Sequence, residues 1–227
     1  MSLTLEIVEA ALLGAGLTPR GAFNPAPDDG VPEASPGVAA GTLVLAGNAG
    51  PHMWQAFAAE RDPAREPLDA WSKAKLGPLA ESFGGRAFYP FEPPHLPFQR
   101  WARKAEACHH SPLGIFIHPE YGLWHGYRGA LALPETLALP AAKPSSPPCE
   151  SCAEKPCLST CPVGASTAAG YDVPACADHL ETAAGADCMA EGCRARRACP
   201  VGRGFRYVPA QAAFHMRAFL QARREAR

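Results

Sequence analysis

The sequence predicts an α+β chain in two parts. The first, residues 1–138, alternates helical and extended patterns; the second, residues 149–227, is a small domain dominated by cysteine. Three observations carry this. Apolar residues recur at helical spacing in some stretches and as short continuous runs in others. A proline-rich segment, LPAAKPSSPP over residues 139–148, separates the two patterns. Eight of the nine cysteines fall between Cys149 and Cys199, leaving only Cys108 outside.

The elements follow in chain order. Leu5, Val8, Leu12 and Ala15 recur at helical spacing, and Gly14 and Gly16 can end that helix. Residues 24–41 are rich in Pro, Gly and Asp and read as an irregular loop. Thr42 to Ala46 reads as a buried strand. Pro51 then suits the first turn of a helix, after Gly47-Asn48-Ala49-Gly50. A strand–loop–helix step of that kind presents free N–H groups that can hold a phosphate or an amide oxygen, although a plain strand-to-helix turn accounts for it as well.

Residues 69–83 form a second helix, stopped by Gly84-Gly85. Arg86 to Tyr89 reads as a strand, Pro90 to Pro97 as an extended crossing, and residues 98–108 as a helix. Gly114 to Ile117 and Leu123 to Leu133 read as two strands joined across HPEYG. Trp54, Trp71 and Trp101 fall on helix faces and are expected in the core. Helix–strand alternation favours an α+β or α/β sandwich for this region. The linker's four prolines make it a stiff, extended spacer.

Composition narrows the function classes. With 47% hydrophobic residues the chain can bury a core, and 25 prolines with 21 glycines imply many turns between short elements. A net charge of −1 does not suggest a nucleic-acid or membrane-surface binder. The opening MSLTLEIVEAALLGAGL lacks a basic start and is interrupted by Glu6 and Glu9, so a secretion signal is not expected. No run has the length that a membrane span needs, and the chain is read as cytoplasmic. In that compartment cysteines are more often metal ligands or catalytic thiols than disulfides.

The cysteines have a recognisable order. The first group runs Cys149-x2-Cys152-x4-Cys157-x3-Cys161-Pro162, and the second Cys176, then Cys188-x4-Cys193-x5-Cys199-Pro200. Both end in Cys-Pro-Val-Gly. This is the pattern of a two-cluster bacterial ferredoxin with insertions. Three thiolates in one short loop can wrap one face of a cubane, while the Cys before Pro sits where the chain turns away and so reaches the other cluster. Cys149, Cys152, Cys157 and Cys199 are therefore expected to hold one [4Fe-4S] cluster, and Cys161, Cys176, Cys188 and Cys193 a second. Zinc is the main competitor, but four-cysteine zinc sites come as two CxxC knuckles and only one CxxC is present.

Arg194, Arg196, Arg197, Arg203 and Arg206 crowd the second group. They can favour a reduced, more anionic cluster, dock an acidic redox partner, or form a solvated basic face. Cys108 with His109-His110 can bind a metal, but reads more simply as a helix-end thiol beside two solvated imidazoles.

The run GIFIHPEYGLWHGYRGALALP stands out in the first region. By itself it is a tight connection shaped by Pro119 and Gly122, with His118 and Trp124 at its ends. It resembles the corresponding run of the cobalamin-processing chaperone (cblC-type) family, which carries a similar His-Pro-x-x-Gly-x-Trp. TLVLAGNAGPHMWQAF resembles an early strand and helix there. The layout is also similar to that of epoxyqueuosine reductase and the reductive dehalogenases, down to the isolated Cys176 beyond the first Cys-Pro. The resemblance implies a shortened nitroreductase-like sandwich that holds a corrinoid near His118, Gly122 and Trp124, followed by a ferredoxin-like two-cluster domain. No Asp aligns with the reductase's catalytic acid, and its helical repeats have no counterpart, which speaks against epoxyqueuosine reduction.

The expected function is an iron–sulfur redox protein that passes electrons from an external donor or partner protein through two [4Fe-4S] clusters to bound cobalamin, as in a cobalamin-dependent or cobalamin-processing reductase. A ferredoxin-type electron carrier with no substrate of its own is the alternative. A structural cluster protein is a third reading.

Overall fold

The computed structural model describes residues 2–61, 68–141 and 145–225. Residues 142–144 of the expected linker lie outside them. The chain divides into two compact units, Met1–Ala107 with His125–Pro144, and Cys108–Trp124 with Ser145–Arg227. This differs from the boundary expected at the linker, because the second unit also takes a stretch of chain from the middle of the first region.

The first unit is α+β. Its sheet has four strands in the order β1 (Thr18–Phe23), β2 (Thr42–Ala49), β6 (His125–Leu133) and β3 (Arg86–Phe88). All its pairings are antiparallel. Every residue of β2 is buried, as befits a central strand covered on both faces. β1 was not expected: Pro19, Arg20 and Gly21 break any strand pattern. It is an edge strand, where a proline costs no ladder bond, and its register shifts between Pro19 and Ala22.

Among the described residues four helices cover this sheet: α1 (Leu5–Gly14), α2 (His52–Glu60), α3 (Leu68–Ser82) and α4 (Phe98–Ala105). α1 buries Leu5, Val8 and Leu12, the spacing that announced it. α2 and α3 meet through Trp54, Phe57 and Trp71, with ring centroids 5.6 and 5.8 Å apart. Trp101 of α4 is completely buried and its indole donates to the Asp29 carbonyl at 2.9 Å. The loop over residues 24–41 is thus pinned to α4, and its Pro27–Asp29 segment forms a single 3-10 turn.

Arg20 on β1 is buried as well. Its guanidinium donates to Glu106 at 2.5 Å and to the Asn48 carbonyl at 2.7 Å, and lies 3.0 Å from His125 Nδ1. The Tyr127 hydroxyl donates to the same carboxylate. A fully buried arginine survives only because its donors find such partners.

The second unit is built from short pieces. β4 (His109–His110) pairs with β5 (Phe116–Ile117), and β7 (Ser166–Thr167) with β8 (Gly170–Tyr171). Its helices are α5 (Val173–Leu180), α6 (Ala186–Glu191), α7 (Arg194–Ala198) and α8 (Pro209–Glu225). Asp172 caps α5 by accepting from the Ala175 N–H at 2.9 Å. The expected hairpin across HPEYG does not form: β5 pairs with β4, β6 belongs to the sheet of the first unit, and only the isolated bridge His118–Gly122 spans the turn. Among the described residues no helix is long and apolar enough to cross a membrane.

Candidate metal centre: two sets of four thiols

All nine cysteines are free thiols. The eight in the cysteine-rich stretch sort into two sets within the second unit. Cys149, Cys152, Cys157 and Cys199 line one cavity, whose remaining wall is Pro112, Ile117, Pro148, Lys155, Pro156, Pro200 and Val201. Burial pushes the Cys149 thiol up, and the nearby Cys199, Cys157 and Cys152 add to it. Burial likewise raises Cys157 and Cys199, reinforced in both by neighbouring thiols of the same set. The other set behaves alike: burial raises Cys176, with Cys193, Cys161 and Cys188 contributing, and Cys193 is raised by burial, Cys188 and Cys161. Cys199 stands with the thiols of the first loop and Cys161 with those of the second.

Local structure explains the crossing. Cys157 sits in a 3-10 turn over Pro156–Leu158, entered through Lys155 at φ 40°. Cys161 follows, and the chain turns away there, Gly164 donating back to its carbonyl at 3.2 Å. Cys193 caps the start of α7 and Cys199 its end. The backbone at Ala195 and Arg196 favours charge on the Cys193 sulfur, that at Cys157 and Leu158 on Cys157, and that at Val201 on Cys199. The Tyr171 hydroxyl donates to Cys176. Such donors lower the cost of negative charge on sulfur and orient the ligands.

Spacing bears on what the sets could hold. Among the described residues no three of these eight sulfurs lie within 4.8 Å of one another. A zinc ion with tetrahedral Zn–S bonds of about 2.3 Å needs its sulfurs only about 3.8 Å apart. The first set's four thiols share one small cavity. The donor set is also right, since four thiolates suit iron–sulfur chemistry.

His118, Gly122 and Trp124 belong to this second unit. His118 Nδ1 accepts from the backbone N–H groups of Glu120 and Tyr121 at 3.1 and 3.2 Å, and its ring stacks on Tyr121 at 4.3 Å. Gly122, at φ +58°, faces Val201, and Trp124 is only 2% exposed. Arg196 lies 4.5 Å from the ring centroids of both Trp124 and Tyr207 and donates to the Leu123 carbonyl at 2.5 Å. Trp124 is thus buried and Gly122 packed against Val201, while His118 is half-buried. Ile117, Leu123 and Cys199 share a buried cluster with Leu113, Cys149 and Val201 packed on it, so this stretch walls the first thiol set.

Other neighbours were not singled out in the sequence. α8 packs Leu220, Met216 and Phe219 against Ala177, Leu180 and Cys188 around the second set. The helical spacing of Met216, Phe219 and Leu220 would have been the signal. The His109–His110 pair divides, His109 Nε2 lying 3.1 Å from Ser145 Oγ and His110 meeting the Phe116 ring at 4.9 Å. The chain matches no protein-family model and no curated protein.

Proposed function

We propose that the protein is an iron–sulfur electron-transfer protein whose second unit holds two [4Fe-4S] clusters, one on Cys149, Cys152, Cys157 and Cys199, the other on Cys161, Cys176, Cys188 and Cys193. The observation that carries this reading is the sorting of eight free thiols into two crossed sets, the first of which lines a single cavity. A bound cluster supplies one-electron redox chemistry. The chain's residues set the terms of it. Backbone groups around Cys157, Cys193 and Cys199 favour added charge, and Ile117 and Val201 give the first site part of an apolar wall.

The geometry favours the ferredoxin-type carrier over the corrinoid reading, which rests on the HPEYGLW resemblance, because Trp124 and Gly122 have their contacts inside the cysteine-rich unit. Anaerobic reconstitution followed by iron and sulfide analysis tests the proposal. About eight of each per chain are expected; zinc without labile sulfide overturns it. Titrating the same protein with cobalamin separates the two redox readings, and a corrinoid absorption band retained after gel filtration restores the second.

A further inference from the structure

α7 joins the two thiol sets, as residues 158–160 also do, with Cys193 at its start and Cys199 at its end. Its five residues divide sharply. Ala195 is fully buried, and Arg196 turns inward over Trp124 and Tyr207. Arg194, Arg197 and Ala198 instead line a surface cavity completed by Thr160, Asp187 and Arg206. Chain neighbours of four cysteines thus meet there: Thr160 precedes Cys161, Asp187 precedes Cys188, Arg194 follows Cys193 and Ala198 precedes Cys199.

The cavity is positively charged and held in shape. Arg194 Nε donates to Asp187 Oδ2 at 2.6 Å, Arg197 donates to the same oxygen and to the Gly192 carbonyl at 3.2 Å, and Arg206 donates to the Arg197 carbonyl. Three guanidinium groups face one carboxylate, leaving a net positive rim on a protein whose overall charge is −1. Arg206 is exposed, and Arg194 keeps 42% of its side chain in solvent.

We infer that this cavity is the docking surface for an acidic one-electron carrier protein, and that electrons enter beside α7, where chain neighbours of cysteines from both thiol sets line one cavity. The inference rests on the two-cluster reading. In the step, the reduced carrier loses one electron and one oxidised [4Fe-4S] centre gains it; no bond forms or breaks and no proton need move. A small basic cavity with a fixed carboxylate suits a matching acidic face, because complementary charge steers association and sets its salt dependence. A nucleic acid is disfavoured, since the patch is short and the chain as a whole is not basic.

The full-length chain after anaerobic reconstitution is titrated with flavodoxin as the acidic probe, following flavin fluorescence. Salt is raised from about 0.01 M to about 0.15 M, which shortens the screening length from about 30 to about 8 Å. Wild type should bind at low salt and weaken as salt rises. The double variant Arg194→Glu, Arg206→Glu should lose about tenfold or more in affinity and most of the salt dependence. Arg194→Lys, Arg206→Lys should retain binding, and Arg103→Glu on the exposed face of α4 should match wild type. The reduction rate by flavodoxin should fall in the Glu variant, while reduction by methyl viologen radical cation should not.

Equal binding by wild type and the Glu variant, or no salt-dependent binding at all, overturns the inference. So does single-stranded DNA that binds as tightly as flavodoxin and is lost in the same variants. Iron and sulfide are assayed in the same preparations. Failure of the cluster reading then shows as missing sulfide, while failure of the docking surface shows as unchanged binding in a loaded protein.

Discussion

Gly122 and Val201 lie so close that a Cβ on Gly122 would overlap the Val201 carbonyl oxygen. The contact is mutual in its neighbourhood, since a Cβ on Gly202 would overlap the Tyr121 carbonyl group. The HPEYGLW turn is thereby clipped to the loop that follows Cys199. Gly122→Val meets both a left-handed backbone at φ +58° and this overlap, so the clip must open. Strain of about 1–3 kcal/mol is expected. The measurable result is a first cluster that is lost or labile while the second persists, with iron falling from about eight toward about four per chain. Full iron content in a folded Gly122→Val protein would show that the clip is not needed.

The crossed sets make opposite predictions for two cysteines only four positions apart. Cys161→Ala should damage the second cluster and leave the first, because Cys161 stands with Cys176, Cys188 and Cys193. Cys157→Ala should do the reverse. Low-temperature EPR of each reduced variant, compared with wild type, reports which signal is lost. If both variants lose the same signal, the crossing is wrong.

Much of this was legible in the sequence because it was local. The two Cys-Pro endings mark where the chain turns away, and the expected partition of eight thiols was drawn from them. Leu5, Val8 and Leu12 announced α1, and the apolar TLVLA run announced β2. What stayed hidden was non-local. β1 carries Pro19 and the buried Arg20, whose acceptable burial depends on Glu106 far along the chain. The stretch Cys108–Trp124 reads as continuous with the strands around it, yet it packs with the cysteine loops, since Ile117 and Leu123 find their apolar partners at Cys199 and Val201. Trp124 looked like a free aromatic face because nothing in the local sequence marks Arg196 as its cover.

Asp29 gives the first unit a pH-dependent contribution. Burial alone would raise its carboxyl, but hydrogen bonds from Lys104 at 2.5 Å and from the Ala26 N–H at 2.6 Å outweigh burial and hold it below 3.8. A lowered folded value means that this stability is complete above the unfolded value and is lost as pH falls through the folded one. Lys104 keeps 39% of its side chain exposed, so the effect is discounted to about 1 kcal/mol. Wild type should lose stability below about pH 4 faster than Asp29→Asn. Urea unfolding across that range, read by the fluorescence of Trp101 beside the turn, checks it. Identical pH slopes would rule the ion pair out as a contributor.

The Arg20–Glu106 pair predicts a sharper asymmetry. Arg20 is fully buried and Glu106 keeps 11% of its side chain exposed, at a separation of 2.5 Å. Glu106→Ala leaves the guanidinium without its counter-charge and the Tyr127 hydroxyl without its acceptor in that carboxylate. Breaking a buried pair from one side costs about 3–5 kcal/mol. Replacing both partners by apolar residues of similar volume removes the stranded charge too. Arg20→Met, Glu106→Leu should therefore recover most of the loss and lie within about 1–2 kcal/mol of wild type. Chemical denaturation of the wild type, the two single variants and the double variant closes the cycle. A coupling near zero would mean that Arg20 is held by the Asn48 carbonyl and the Tyr127 ring, 5.0 Å from its guanidinium, rather than by the carboxylate.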